Sequence, residues 1–122
     1  MDLPSREPAP PDPARPETVG PGLSVSPLAR QAGVRAVGEV SLATRGVWER
    51  VLEQALSGGE DVYRLELSEV TFVDVAGAGA LADAARRLGP GRRMVLHRPP
   101  STLPRILEMF WPGLPGIEVS TS

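Results

Sequence analysis

Two short runs rich in β-branched residues, "LSVSPLA" at 23–29 and "GVRAVGEVSL" at 33–42, open the patterned part of the chain and predict two strands joined by a turn through Arg30, Gln31 and Ala32. Pro27 has no N–H to offer a ladder, which marks the first run as an edge strand. The period then changes to that of a helix. In "TRGVWERVLEQALSGG", Val47, Trp48, Val51, Leu52, Ala55 and Leu56 fall on one stripe, with Thr44 as N-cap and Gly58 or Gly59 as the stop. Trp48 is thereby a core or boundary residue, not a binding aromatic. "DVYRLEL" returns to a period of two, with Tyr63, Leu65 and Leu67 on one face of a strand. "AGALADAARRLG" is a second helix, made of small residues that permit close packing on a sheet. "RRMVLHR" is a strand, and Ser101 or Thr102 caps a third helix whose first turn accepts Pro104 and whose stripe is Leu103, Ile106, Leu107 and Phe110. "IEVS" is a closing strand. The predicted order is β-β-α-β-α-β-α-β, an α/β fold with a small mixed sheet covered by amphipathic helices and parallel pairing wherever a helix makes the crossover.

Ahead of this pattern, residues 1–22 hold seven of the 14 prolines and few residues able to enter a core. They are expected to form a disordered tail, with the folded domain at 23–122. A polyproline ligand in "PAPPDP" is the alternative use of that tail. There is neither a secretory h-region nor an apolar run long enough to span a bilayer, so a cytoplasmic protein is expected. The formal charge of -2, from 13 basic and 15 acidic residues, predicts no nucleic-acid or membrane partner. The absence of cysteine removes disulfides, thiolate metal sites and a thiol nucleophile. A single histidine, His97, could serve a Ser-His-Asp triad but not a multi-histidine metal site, and its simpler reading is a residue ending a strand.

One stretch raises a chemical question. "TFVDVAGAGAL" at 71–81 runs apolar residues into a lone carboxylate, Asp74, and then into a series with no polar side chain. Gly77, Gly79 and Ala82 satisfy G-x-G-x-x-A at a strand-to-helix junction, the dinucleotide fingerprint. The context fails it, because no acidic residue lies between Asp83 and Glu108 to hold a ribose. With no phosphate-binding lysine and no nucleophile beside a base, neither an enzyme nor a cofactor is expected.

"GEVSLAT" at 38–44, "LELSEVTFVDVAGAGAL" at 65–81 and "MVLHRPPSTLPRILEMF" at 94–110 together resemble, in order and spacing, the three signature regions of the STAS domain, the fold of bacterial anti-sigma-factor antagonists. The resemblance covers roughly residues 23 to 120. It implies a STAS-like sheet and a protein that binds a kinase-like anti-sigma factor and so frees a sigma factor. Family members read hydrophobic-D-S-S-G-(L/A)-G at the second region, the second serine being the phosphoacceptor. Here Asp74 matches the aspartate, Val75 and Ala76 stand in place of the two serines, and Gly77 and Gly79 match the glycines. Ser41 replaces the aspartate of the family's first region, G-E-(L/V)-D-x-x-T. The resemblance thus implies that the phosphoacceptor position is occupied by a residue without a hydroxyl. Asp74 is also expected to cap the helix that follows.

The expected partner surface is Asp74, Val75, Ala76, Gly77 and Gly79, the glycines keeping it flat, with Asp83, Arg86 and Arg87 as rim charges. The hydroxyls of Ser68 and Thr71 are read as turn formers. Two functional classes follow: a transcription-regulating antagonist that phosphorylation at Ala76 cannot switch off, and a scaffold subunit of a larger signalling or transporter-associated complex.

Overall fold

The computed structural model describes residues 18–20 and 22–121. Among these, one six-stranded sheet runs in the order β1-β2-β3-β4-β5-β6, with strands β1 (Thr18–Gly20), β2 (Leu23–Pro27), β3 (Gly33–Val40), β4 (Val62–Val73), β5 (Arg93–His97) and β6 (Ile117–Ser120). The first three pair antiparallel and the pairs from β3 to β6 are parallel. Helices α1 (Arg45–Ser57), α2 (Val75–Arg87) and α3 (Thr102–Phe110) make the three crossovers. Each crossover steps the sheet in the same direction, and right-handed connections of that kind put all three helices on one face.

Side-chain burial follows from this single-sided cover. Leu23, Val25, Val34, Ala36, Val40, Tyr63, Leu65, Leu67, Met94 and Leu96 point into one core with Trp48, Val51, Leu52, Leu81, Leu103 and Leu107 of the helices. The opposite face is polar and carries ion pairs, among them Arg35 with Glu69, Glu66 with His97, and Arg93 with Glu118.

The element order is that expected from the pattern, with one strand added. β1 lies within the stretch assigned to the tail: Thr18–Gly20 pair with Leu23–Val25, so the sheet starts ahead of residue 23, while residues 1–17 lie outside the described residues. β2 is therefore flanked on both sides, and the edge assignment made from Pro27 is corrected. Pro27 is compatible with this because, among the described residues, β1 reaches only as far as Val25 and no strand lies opposite the missing N–H. β4 is longer than "DVYRLEL", since it continues to Val73. Its alternation breaks where the pairing with β3 shifts register, between Arg35 and Val37 and again between Gly38 and Glu39. Ser68 and Thr71 consequently lie within the strand and are not turn formers: Ser68 donates to Glu66, and Thr71 donates to the Gly38 carbonyl at 3.3 Å.

Arg92 closes the C-terminal end of α1. Its guanidinium donates to the carbonyls of Ala55, Leu56, Gly58 and Glu60 at 2.8 to 3.1 Å. These include carbonyls that the last turn of α1 leaves without helical partners, and a cation there also opposes the helix dipole.

Candidate functional site

The carboxyl ends of β3 and β4 lie side by side, with Val40 opposite Val73, and the chain leaves each into a helix. After β3, a 3-10 turn at Leu42–Thr44 leads into α1. Thr44 occupies the N-cap position but its side chain does not cap α1. The buried hydroxyl donates to the Glu39 carbonyl at 2.9 Å and accepts from the Ser41 N–H at 2.9 Å, which fixes the turn. After β4 there is no turn at all. Asp74 is extended and is the N-cap of α2; its Oδ1 accepts from the Gly77 N–H at 2.7 Å, and its own N–H donates to the Val40 carbonyl at 3.0 Å. The capping role expected for Asp74 is therefore present in the structure. Asp74→Ala is expected to destabilise the domain by about 0.5–2 kcal/mol, with Asp74→Asn close to wild type, as measured by urea unfolding.

Val75 and Ala76 form the first turn of α2 and both are exposed. Gly77 is different. It is buried, and a Cβ there would stand 2.6 Å from Cγ1 of Val40 and 3.0 Å from Oδ1 of Asp74. Its carbonyl accepts from the buried Trp48 indole N–H at 3.0 Å, which ties α1 to the first turn of α2. A Cβ on Gly79 would meet the Trp111 ring at 3.4 Å, so that face of α2 is covered by the residue following α3. The expectation that both glycines flatten a partner surface is thus corrected: one allows α2 to seat against β3 and the other receives an indole. Neither role can be read from spacing, since each depends on a partner more than 30 residues away in the chain.

Arg45, in the first turn of α1, brings a guanidinium nitrogen to 3.9 Å from Oδ2 of Asp74. Ser41 is half-buried at the head of the 3-10 turn. Further down α2, Asp83, Arg86 and Arg87 are exposed, and Arg87 lies 3.4 Å from Asp83 and 3.5 Å from Glu53 of α1. Asp83 and Arg87 therefore belong to the cleft between α1 and α2. Two residues outside the expected set also expose apolar side chains at these strand ends: Leu42, 80% exposed, and Phe72, 47% exposed, with Val75 at 51%.

His97 ends β5, as expected, and among the described residues it forms no triad with Ser68. Its Nδ1 is paired with Oε1 of Glu66, while the Ser68 hydroxyl donates to Oε2 of the same carboxylate. The carboxylate thus stands between hydroxyl and imidazole, an order in which the ring cannot take the serine proton. Burial acts to raise the Glu66 pKa, but the hydrogen bonds from Ser68 and His97 and the charge of His97 outweigh it and hold the carboxyl below its ordinary 4.5. A folded-state pKa below the unfolded one adds stability that is present above the unfolded value and is lost as pH falls through the folded value. Wild type is therefore expected to lose melting temperature more steeply than Glu66→Gln once pH drops below about 4.5, with the two converging at the acid end of a series of thermal melts.

A sheet covered on one face by three crossover helices, with the candidate residues at the carboxyl ends of its central strands, defines a two-layer α/β architecture. The family model described as "Mlab, STAS domain" matches residues 24–111, and the chain belongs to the STAS domain family. Two solved structures share the fold. An anti-sigma factor antagonist from Mycobacterium paratuberculosis superposes with a TM-score of 0.64 at 18% identity, covering 79% of this chain and 85% of that one. The anti-sigma factor antagonist SpoIIAA in its unphosphorylated form superposes with a TM-score of 0.58 at 18% identity, covering 82% and 89%. No curated protein sequence matches the chain. Among the described residues, no helix is long and apolar enough to cross a membrane.

Proposed function

We propose that this chain is a non-catalytic, cytoplasmic protein-binding module of the antagonist type, which engages a kinase-like anti-sigma factor through the carboxyl ends of β3 and β4 and the first turn of α2. Phosphorylation at the usual position does not switch it. The observation that carries this reading is Ala76: an exposed residue in the first turn of α2, where a helix N-terminus would favour a phosphate, yet with no oxygen to receive one. Its surroundings support an interface, because Val75 beside it and Leu42 at the start of the turn after β3 are exposed, on a framework held by the Thr44, Asp74 and Trp48 hydrogen bonds. The two antagonists that share the fold support the partner class.

A second reading is a scaffold subunit of a larger complex, favoured by the same missing hydroxyl, since a purely structural subunit needs no phosphoacceptor. The two are separated by titrating the purified chain into a purified kinase-like anti-sigma factor from the same genome in a calorimeter. A saturable complex supports the antagonist. No heat and no co-elution with any such factor, together with stable co-purification with an ATPase of another class, would establish the scaffold.

A further inference from the structure

α1 and α2 start from neighbouring strands and run side by side, leaving between them a cleft of about 180 Å³. Its floor is low, made of Leu52, Ala80 and Ala84, and its walls carry three carboxylates, Glu49, Glu53 and Asp83. Arg87 is the one cation among the lining residues, and it is already shared between Glu53 and Asp83. Glu49 has no ion-pair partner among the described residues. Arg45 and Ala76 precede Glu49 and Ala80 by one turn on the same two helices, and two exposed apolar residues, Leu42 and Val75, stand at the starts of those helices.

An exposed leucine on a loop normally lowers solubility without structural return. Here the loop is fixed by the buried Thr44 hydroxyl, so Leu42 is presented in one position, and such pre-ordering lowers the entropy cost of binding. An apolar ledge at the helix starts above an acidic cleft with a small-residue floor has a definite complement. From this we infer that the ledge and cleft form one docking surface for a cationic amphipathic helix of the partner. The helix's apolar residues seat on Leu42 and Val75, and its lysines or arginines lie over Glu49, Glu53 and Asp83. About 16 Å of α2 separate Ala76 from Arg87, so some 11 residues of such a helix are engaged. The inference rests on the proposed function for the end of the molecule at which the partner sits, and it adds the element and charge the partner brings there. An anionic surface, whether nucleic acid or lipid, is repelled by the same carboxylates.

The test uses the full chain and a fluorescein-labelled synthetic helix of leucine and lysine at helical spacing, beside a counterpart with glutamate in place of lysine. The lysine peptide is expected to bind and the glutamate peptide to bind at least tenfold more weakly, with affinity for the former falling as ionic strength rises. Leu42→Asp and Glu49→Lys, both at exposed positions, should each weaken the lysine peptide roughly fivefold or more. Amide shifts in a ¹⁵N spectrum should cluster at Leu42, Val75, Ala76, Ala80 and Asp83. Equal binding of both peptides, wild-type affinity in both variants, no binding of either peptide, or shifts confined to the polar face of the sheet would each overturn the inference. An anti-sigma factor that binds both variants at wild-type strength removes this surface but leaves the proposed function standing. Failure of the anti-sigma factor alone, with the peptide results as expected, removes the function instead.

Discussion

Gly38→Ala is expected to destabilise the domain by about 3 to 5 kcal/mol, a large share of the 5–15 kcal/mol typical of a folded domain. Gly38 sits in β3 at a φ of 126°, where a side chain strains the backbone, and a Cβ there would lie 1.9 Å from the Gly22 carbonyl oxygen and 3.2 Å from Cα of Leu23. These are backbone atoms that cannot swing away: the Gly22 carbonyl accepts from the Glu39 N–H at 2.7 Å, and Leu23 is paired to Gly38 across the β2–β3 ladder. Relief would require β2 to move off β3 and expose Leu23 and Val25, both buried in the core. For a domain of about 100 residues each kcal/mol lowers the melting temperature by roughly 4–8 °C, so a fall of at least 12 °C is expected. Gly46→Ala is the control, since Gly46 lies in α1 with nothing within 4 Å of a Cβ. It should raise stability by about 0.5–1 kcal/mol. A melting temperature for Gly38→Ala within 3 °C of wild type would mean that β2 and β3 are not packed as described.

The second large effect is on binding. Ala76→Asp is expected to weaken the proposed complex with an anti-sigma factor at least a hundredfold, because a carboxylate introduced beside Val75, at the apolar end of the contact, must lose its water against the partner's apolar residues. The free protein should not suffer. Ala76 is the second residue of α2, and a negative charge at a helix N-terminus is favourable by about 0.3–1 kcal/mol. Loss of affinity with an unchanged or raised melting temperature therefore separates a binding effect from a folding one. Ala76→Asn, of the same size without the charge, should lose much less. Equal affinities for wild type and Ala76→Asp in calorimetry would move the interface away from α2.

What could be read from the chain, and what could not, divides by distance along it. Helices α1 and α3 were legible because their stripes are local: Val47, Trp48, Val51, Leu52 and Ala55 are all buried, as are Leu103 and Leu107, whereas Phe110, placed on the α3 stripe by its spacing, is 54% exposed. Asp74 was legible for the same reason, since its cap closes within three residues. The full length of β4 was not, because the two register shifts against β3 change the spacing of its inward residues, so that Leu67, Val70 and Val73 are buried at a period of three. A period of three is the signature of neither a strand nor a helix. β1 has only three residues and no alternation to detect. The two glycines of α2 looked like surface because small residues permit close approach by anything, and only the fold decides that the neighbours are Val40 and Trp111. Leu42 and Phe72 carry the opposite ambiguity: apolar residues at the end of a strand read as core, yet Leu42 falls in the turn after β3 and Phe72 on the outward side of β4. Arg92 bonds to carbonyls 32 to 37 residues away, which leaves no local trace.

Under the proposed function, the chain binds a kinase-like anti-sigma factor and phosphorylation does not release it. The most direct measurement is the affinity of the purified chain for a kinase-like anti-sigma factor before and after prolonged incubation with that factor and ATP, with intact-protein mass spectrometry of the same samples. The predicted result is an unchanged dissociation constant and no added phosphate, since Ala76 offers no hydroxyl to accept one. Phosphate on Ser41, Ser68 or Thr71, accompanied by loss of binding, would contradict it and mean that the switch has moved to another position.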